Sequence, residues 1–267
     1  MTLRRVVLAA LLGGAAFVGV QSTAMAGQPA APAGPVHPSA TPQGHYFEMD
    51  KLPDWGGTWI VAQQRPVPGA PPRETPVIKP GQYLDRYNRM RAVSETNHGE
   101  WPRMASTCTT PGEPYLLSLG QYPSEYLFNP GRVTELHEET TGQRRIFTDG
   151  RGHAAPDDLE LTYGGDAIGH WEGGTLVVET IGLKPSNQIS NGVFATPKTR
   201  LVERIHLDPA DKDALVDELT VTDEDMLVQP YHQTIRYRRH RDIELLEYVC
   251  DENNRNTIGA DGKIDFH

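Results

Sequence analysis

From Ser124 onward, short segments of alternating apolar and polar residues are separated by turn motifs. Residues that alternate with period two lie on opposite faces of a β-strand, and Gly, Pro, Asn and Asp mark the turns between strands. The pattern predicts strands at Glu125–Phe128, Val133–Glu138, Arg144–Thr148, Leu159–Tyr163, Ala167–Glu172, Thr175–Ile181, Leu201–Leu207, Leu215–Thr222, Gln229–Arg239 and Ile243–Cys250. Because an open sheet of this size would leave exposed edges, we predict an antiparallel meander closed into a barrel of about 8–10 strands.

Two earlier segments add to this fold. Gly57-Thr58-Trp59 leads into an apolar run, and a Gly-x-Trp before a first strand resembles lipocalin-like and avidin-like barrels, in which the tryptophan plugs one end. The apolar residues of Gln82–Val93 recur at the spacing of one helix face. They are Tyr83, Leu84, Tyr87 and Met90. We therefore predict a mainly β, lipocalin-like barrel with one helix near residues 82–93, which leans on the barrel or, alternatively, forms a mobile lid.

The first 50 residues lack the alternating pattern. A basic start at Arg4 and Arg5, an apolar run over residues 6–20 and Ala24-Met25-Ala26 predict a signal peptide at 1–26, cleaved after Ala26. Residues 27–50 are rich in Pro, Ala and Gly, which predicts a flexible leader. Residues 51–267 are then a single β-barrel domain. We expect a periplasmic or extracellular protein without a membrane anchor.

Charge and cysteine content limit the partners and the redox state. Without Arg4 and Arg5, 23 basic residues remain against 35 acidic ones, a net charge of −12. Long-range repulsion from such a surface disfavours nucleic acids and anionic membranes. In an exported chain, Cys108 and Cys250 are most simply one disulfide, with a nucleophilic thiol as the alternative.

Strand alternation also identifies carboxylates that would face a barrel interior. In two predicted strands a single carboxylate stands in the middle of an apolar face, and these are Glu203 and Glu247. A carboxylate turned inward costs several kcal/mol unless it is paired or protonated. We expect either a buried structural pair with Arg145 or Arg151, or an acid with a raised pKa or a substrate anchor.

The segment 144–180 concentrates titratable residues between short apolar runs. His170 and Glu172 share a strand face, which favours a histidine–carboxylate pair for proton transfer or two metal ligands, although Glu172 also suits an exposed turn. Asp149, Arg151 and His153 combine an acceptor, a fixed cation and a base, although Asp149-Gly150 would suit a simple turn.

Local spacing gives no sign of a cofactor. The sequence contains no HxH, HxxxH or CxxC spacing, no Gly-x-Ser-x-Gly, no phosphate loop and no dinucleotide fingerprint. We therefore predict no cofactor, and exclude a serine hydrolase, an NTPase and a Rossmann oxidoreductase. Three metal ligands that converge from three strands remain the open alternative.

Three segments resemble the motifs of a widespread family of exported bacterial proteins. The family motifs are DGRxH, GxWEGDTLVV(D/E)T and EYxCxEN, which correspond to Asp149–His153, Gly169–Thr180 and Glu247–Asn253. Gly174 stands where the family usually has Asp, so a role for that acid is absent here. The resemblance implies a secreted β domain and brings no activity with it.

The grouped titratable residues predict a cofactor-free enzyme of lyase, isomerase or hydratase type. It would use acid–base catalysis on a small, partly apolar molecule, aromatic or terpenoid-like, inside the barrel. The candidate catalytic residues are His153, His170, Glu203 and Glu247. The candidate substrate-binding residues are Arg151, Asp149, Phe147, Trp171, Glu172, Tyr237 and Tyr248. The alternatives are a lipocalin-like binding protein without turnover and a structural or envelope-interaction protein. The oligomeric state stays open.

Overall fold

The computed structural model describes residues 42–62, 74–99, 101, 108–139 and 142–249, together with two short strands near the C-terminus. The predicted signal peptide, most of the predicted leader and Cys250 lie outside the described residues, so the signal peptide and the disulfide between Cys108 and Cys250 stay predictions. Within the described part of the chain, no helix is both long and apolar enough to cross a membrane.

The predicted closed barrel is confirmed. In chain order the strands are β1 (Thr58–Val61), β2 (Ser124–Asn129), β3 (Arg132–His137), β4 (Gln143–Phe147), β5 (Asp166–Glu172), β6 (Thr175–Ile181), β7 (Gln188–Ser190), β8 (Val193–Phe194), β9 (Arg200–Asp208), β10 (Asp211–Thr222), β11 (Tyr231–His240), β12 (Thr257–Ile258) and β13 (Ile264–Asp265). Nine of them close the barrel in the order β1-β11-β10-β9-β6-β5-β4-β3-β2. β7 with β8 and β12 with β13 form two separate two-stranded sheets.

The barrel is mixed rather than a pure antiparallel meander. β4 and β5 pair in parallel, with Ile146 opposite Ala167. The predicted strand Leu159–Tyr163 is wrong, because Thr162 makes only an isolated bridge to Leu183. Two parallel neighbours require a crossover connection of about a dozen residues or more. Residues 148–165 provide that connection.

The predicted last strand, Ile243–Cys250, is also wrong over its described residues. Residues 243–249 have no strand conformation and follow β11. β11 already pairs with β1, and β1 pairs with β2, so the barrel has no free edge for another strand. Glu247 is therefore exposed and does not point into the barrel.

Alternation along the barrel strands produces the core. The tryptophan of the Gly-x-Trp motif, Trp59, is fully buried. Its indole nitrogen donates to the carbonyl of Trp55 at 3.0 Å, and the Arg239 guanidinium lies 4.6 Å from the centre of its ring. Inward residues of the other strands pack around it in one apolar cluster, which includes Ile146, Leu176, Val178, Leu201, Ile205, Leu215, Leu219 and Ile235.

The predicted helix is confirmed as α1 (Gln82–Thr96). Tyr83 and Tyr87, two residues of its predicted apolar face, pack against the barrel core. Arg86 lies 3.8 Å over the ring of Phe194, which adds a cation–π contact. These contacts favour a helix that leans on the barrel over a mobile lid.

The end of the predicted flexible leader is fixed to the barrel. Tyr46–Lys51 forms a 3-10 helix, and the side chain of Glu48 accepts a hydrogen bond from the backbone of His45 at 3.1 Å. The backbone N–H of Gln43 donates to Asp149 at 3.1 Å. These hydrogen bonds give residues 43–51, which include the last part of the predicted leader, defined positions.

Candidate functional site

Charged side chains are buried inside the barrel around Arg144. On β4, Arg144 and Ile146 point inward and Arg145 is exposed, because neighbouring residues alternate. The Arg144 guanidinium donates to Glu203 at 2.8 Å through Nη1, and through Nη2 it donates to the second Glu203 oxygen and to Thr180 at 2.7 Å. Glu203 thus points inward as predicted, but its partner is Arg144 rather than Arg145 or Arg151.

Strand register places two more polar residues in one row with Arg144. Tyr126 lies opposite Glu135 on the neighbouring strand, and Glu135 lies opposite Arg144. Side chains directly opposite one another across strands are close enough to interact. The Tyr126 hydroxyl donates to Glu135 Oε1 at 2.8 Å, and Arg144 Nη1 is 3.5 Å from Glu135 Oε2.

His137 extends this cluster toward the end of β3. It is two residues beyond Glu135, so both side chains lie on the inner face. His137 Nε2 is 3.5 Å from Glu135 Oε1 and 3.6 Å from Glu113 Oε1. His137 Nε2 has no hydrogen-bond partner, although the side chain is only 6% exposed. An unsatisfied nitrogen beside two carboxylates is an unusual feature for a protein core.

Glu113 reaches the cluster from the loop before a 3-10 helix (Leu116–Ser118). The amide nitrogen of Asn187 donates to the backbone carbonyls of Glu113 and Tyr163, at 3.0 and 2.7 Å. Gly112 has a φ of +67°, and a Cβ there would lie 2.4 Å from Asn187. A glycine is therefore required at 112 to bring the Glu113 loop this close to the barrel.

Asp217 is a further carboxylate in the interior. It lies on β10 between Leu215 and Leu219, and neither of its oxygens has a hydrogen-bond partner. Burial, followed by the negative charges of Glu203 and Glu135, raises the pKa of Asp217 well above its usual value. Burial and the neighbouring negative charges thus favour the protonated form of Asp217, since an isolated buried charge would be more costly.

The two bases of the cluster are Arg144 and His137. Burial alone would lower the pKa of both groups, but the negative charges of neighbouring carboxylates raise it by more. Glu203 is the main cause that raises the pKa of Arg144 well above its usual value. Glu135, with Glu113, raises the pKa of His137. The cluster consequently holds more carboxylate than base, namely Glu113, Glu135, Glu203 and Asp217 against Arg144 and His137.

A pocket of about 490 Å³ opens beside this cluster. Glu113 and His137 both line it, so they connect the pocket to the buried charges. The other lining residues are Cys108, Thr109, Thr110, Gly112, Leu116, Gly142, Gln143, Tyr163 and Gly164. Another pocket, of about 520 Å³, is lined by residues 49, 50, 52–56 and 126–129 and does not contain Glu113, Glu135 or His137. No residue of α1 lines either pocket.

His170 and Glu172 form the predicted pair, but on the outside of the barrel. His170 Nε2 is 3.2 Å from Glu172, and Glu172 also accepts from Arg204 at 3.0 Å. The His170 side chain is 65% exposed. Trp171, the residue between them, packs against Trp55 in the core. The histidine face of β5 is thus the solvent face.

Asp149, Arg151 and His153 lie in the crossover after β4 and do not line the pocket. Asp149 accepts hydrogen bonds from Arg151 at 2.7 and 2.9 Å, and these bonds lower the pKa of Asp149 to about 2. Arg151 lies 3.9 Å over the ring of Phe147. His153 bridges Asp166 and Glu179, at 3.1 and 2.9 Å. These contacts fasten the crossover to the outer face of the barrel.

The remaining predicted residues are dispersed. Tyr237 is buried and donates to the carbonyl of Leu117 at 2.8 Å. Tyr248 is partly exposed, and a hydrogen bond with Tyr122 raises the pKa of Tyr248 to about 12. Of the predicted catalytic residues, Glu203 alone lies in the buried cluster. The prediction that His153, His170 and Glu247 converge with Glu203 is wrong.

Strand parity contained a signal for most of the missed residues. Glu135 and His137 share a face with Val133, and Arg144 shares one with Ile146. Asp217 stands in the middle of an apolar face, as Glu203 does. Glu113 comes from an irregular loop, where no periodicity could have identified it.

No protein-family model and no curated protein sequence matches the chain. The candidate site therefore depends on its own geometry and chemistry.

The buried pair leads to a prediction about stability. Glu203→Leu should lower the free energy of unfolding by about 3–5 kcal/mol, because Arg144 would keep an incompletely compensated buried charge. Adding Arg144→Met should restore most of the loss, since the charge is then removed. Denaturant unfolding measures both variants, with Glu224→Leu in the exposed pair Lys198–Glu224 as the control that changes little. A Glu203→Leu protein as stable as the wild type would contradict the pairing.

Asp217 leads to a prediction about pH. Because the pKa of Asp217 is raised in the folded state, its contribution to stability is present below about pH 4 and is lost as pH rises toward the folded pKa. Asp217→Leu should abolish this decline and raise the free energy of unfolding at pH 7 by about 1–3 kcal/mol, since two unsatisfied oxygens are removed. Denaturant unfolding between about pH 4 and 8 measures this. Glu218→Leu, on the outer face of the same strand, is the control, and equal pH profiles for the wild type and Asp217→Leu would refute the prediction.

Proposed function

We propose that the protein is an exported enzyme that binds a small molecule in the pocket of about 490 Å³ and acts on it at Glu113 and His137. The observation that carries the proposal is that these two residues belong both to the pocket lining and to the buried charged cluster. The reaction class expected from the sequence, a lyase, isomerase or hydratase, is retained. The site moves from His153, His170 and Glu247 to Glu113 and His137.

The position of the two residues favours chemistry over simple contact. Their side chains are 2% and 6% exposed, so a ligand in the pocket would meet them with little intervening water. Electrostatic interactions with a reacting molecule are stronger in such a low-dielectric place than in water. Behind them, Glu135 accepts a hydrogen bond from Tyr126, and Arg144 donates to Glu203. These bonds hold the charges of Glu135 and Arg144 in fixed positions.

The pocket lining indicates the kind of ligand. Its size falls within the range of about 300–1,000 Å³ that is typical of small-molecule sites. Thr109, Thr110 and Gln143 make part of the lining polar, and Leu116 and Tyr163 contribute apolar surface. The carboxylate of Glu113 in the lining, with that of Glu135 behind it, favours a ligand with a hydroxyl or amino group over an anionic one. We therefore propose a small, partly apolar molecule that carries such a group.

A binding protein without turnover is the second candidate. The observation in its favour is that Glu203, the predicted buried acid, is fully engaged by Arg144. A carboxylate held in this way is part of a structural ion pair, and Glu203 does not line the pocket.

Mass spectrometry can test the proposal with a panel of small alcohols, amines, hydroxy acids, aromatics and terpenoids. The purified protein should consume at least one compound. Glu113→Gln and His137→Gln should slow this by roughly 10²–10⁴-fold, as expected for groups that contact the reacting atoms. The controls are Glu218→Gln and His232→Gln, two exposed positions on β10 and β11 that should retain full activity.

The outcomes separate the two candidates. Stoichiometric ligand binding, seen as a thermal shift with no product, supports the binding protein. Unchanged turnover by folded Glu113→Gln and His137→Gln proteins would refute the proposed site.

A further inference from the structure

We propose that Glu113, Glu135 and His137 together bind one divalent transition-metal cation, Zn²⁺ or Mn²⁺. The inference rests on the proposed function in one respect, because it assigns a cofactor to Glu113 and His137, the two residues of the proposed site that line the pocket. It was not visible in local sequence spacing, because the ligands come from a loop and from alternate positions of β3.

The spacing of the ligand atoms fits a cation. One ligand atom from each residue lies within 4.8 Å of the others, and within the described ranges this is the one group of three His, Cys, Asp or Glu residues that does so. His137 Nε2 is 3.5 Å from Glu135 Oε1 and 3.6 Å from Glu113 Oε1. Two ligands at about 2.0–2.2 Å from one cation, at an angle near tetrahedral, are themselves about 3.3–3.6 Å apart. The two distances from the His137 nitrogen therefore match those between ligands of one cation.

Independent support comes from hydrogen bonding. Three buried atoms of these residues lack a hydrogen-bond partner, namely Glu113 Oε2, Glu135 Oε2 and His137 Nε2, although Glu135 Oε2 is within ion-pair distance of Arg144. Buried polar atoms are nearly always satisfied, so three unsatisfied atoms in one cluster require a cause. His137 Nε2 faces the two carboxylates at 3.5 and 3.6 Å without a hydrogen bond to either of them, which is the arrangement expected of ligands around a metal.

The surrounding charges favour a cation. Arg144 is the nearest competing positive charge, 3.5 Å from Glu135 Oε2. Its guanidinium is engaged by both oxygens of Glu203, which offsets that charge. We infer that Glu135 binds through Oε1, the oxygen that faces His137 and accepts from Tyr126. A hydrogen bond to a ligating carboxylate from a second residue is typical of metal sites.

The ligand types and the pocket indicate which cation and which kind of site. An imidazole with two carboxylates suits Zn²⁺ or Mn²⁺ better than soft cations, which prefer thiolates. Because Glu113 and His137 also line the pocket, the cation would keep an open side toward it. Catalytic metal sites retain such an open position, whereas structural zinc sites are closed by four protein ligands.

Metal titration of the purified protein tests this proposal without any substrate. After treatment with a chelator, the protein is titrated with ZnCl₂ or MnCl₂ alone in a calorimeter. We expect one equivalent to bind, and Glu113→Gln and His137→Gln to weaken that binding at least about 10–100-fold. Glu218→Gln and His232→Gln should bind as the wild type does. X-ray absorption of the zinc-loaded wild type should show one imidazole nitrogen and carboxylate oxygens, a readout that needs no variant to fold.

Three results would overturn the proposal: no binding of either cation by the wild type, undiminished binding by folded Glu113→Gln and His137→Gln proteins, or binding lost in His153→Gln but kept in His137→Gln. Metal binding without turnover would leave the metal site standing and refute the enzyme. Turnover by a protein that binds neither cation would leave the enzyme standing and refute the metal site.

Discussion

The bidentate pair between Arg144 and Glu203 is the interaction on which the interior of the barrel depends. Both side chains are almost completely buried, and each would be costly there without the other. They come from β4 and β9, which are separated in the barrel by β5 and β6. The pair therefore connects two distant strands through the interior, and Thr180 on β6 accepts a further bond from the same guanidinium.

The same pair determines how much negative charge in the interior stays without a basic partner. Once Glu203 engages Arg144, the carboxylates of Glu113 and Glu135 have only partial neutralisation from Arg144 and His137. Burial and the charges of Glu203 and Glu135 raise the pKa of Asp217 and so favour its protonated form. The excess of carboxylate is concentrated where the cluster meets the pocket. This position is suited to attracting a cation or a ligand that donates hydrogen bonds, which is why fold, pocket and proposed metal site belong together.

The alternation of apolar and polar residues predicted the class of fold well and the residues of the candidate site poorly, for one physical reason. Period two identifies which residues share a strand face, but the buried face must be inferred from apolar content. In β9 the inference was correct, because Glu203 stands among Leu201 and Ile205. In β5 the polar face carrying His170 and Glu172 had to face the solvent, because Trp171 on the other face packs into the core.

Other departures were beyond local patterns. The parallel pairing of β4 with β5 depends on a long crossover. The alternating pattern at Leu159–Tyr163 resembled a strand, but this segment lies in the crossover and is not part of the barrel. Glu113 is positioned by Asn187 and by the close approach at Gly112, which are long-range contacts without a sequence period. The ligands of the proposed cation thus became apparent only from their positions in the barrel.

The protonation of Asp217 tests the carboxylate excess most directly. Carbon-13 NMR of aspartate-labelled protein, with Asp217→Asn to assign the resonance, can follow its side-chain carboxyl group from about pH 3 to 8. If the interior holds more carboxylate than Arg144 and His137 can neutralise, Asp217 remains protonated at about pH 7, since its pKa is raised by burial and by Glu203. A carboxyl group that ionises near its ordinary value of 3.8 would contradict the carboxylate excess.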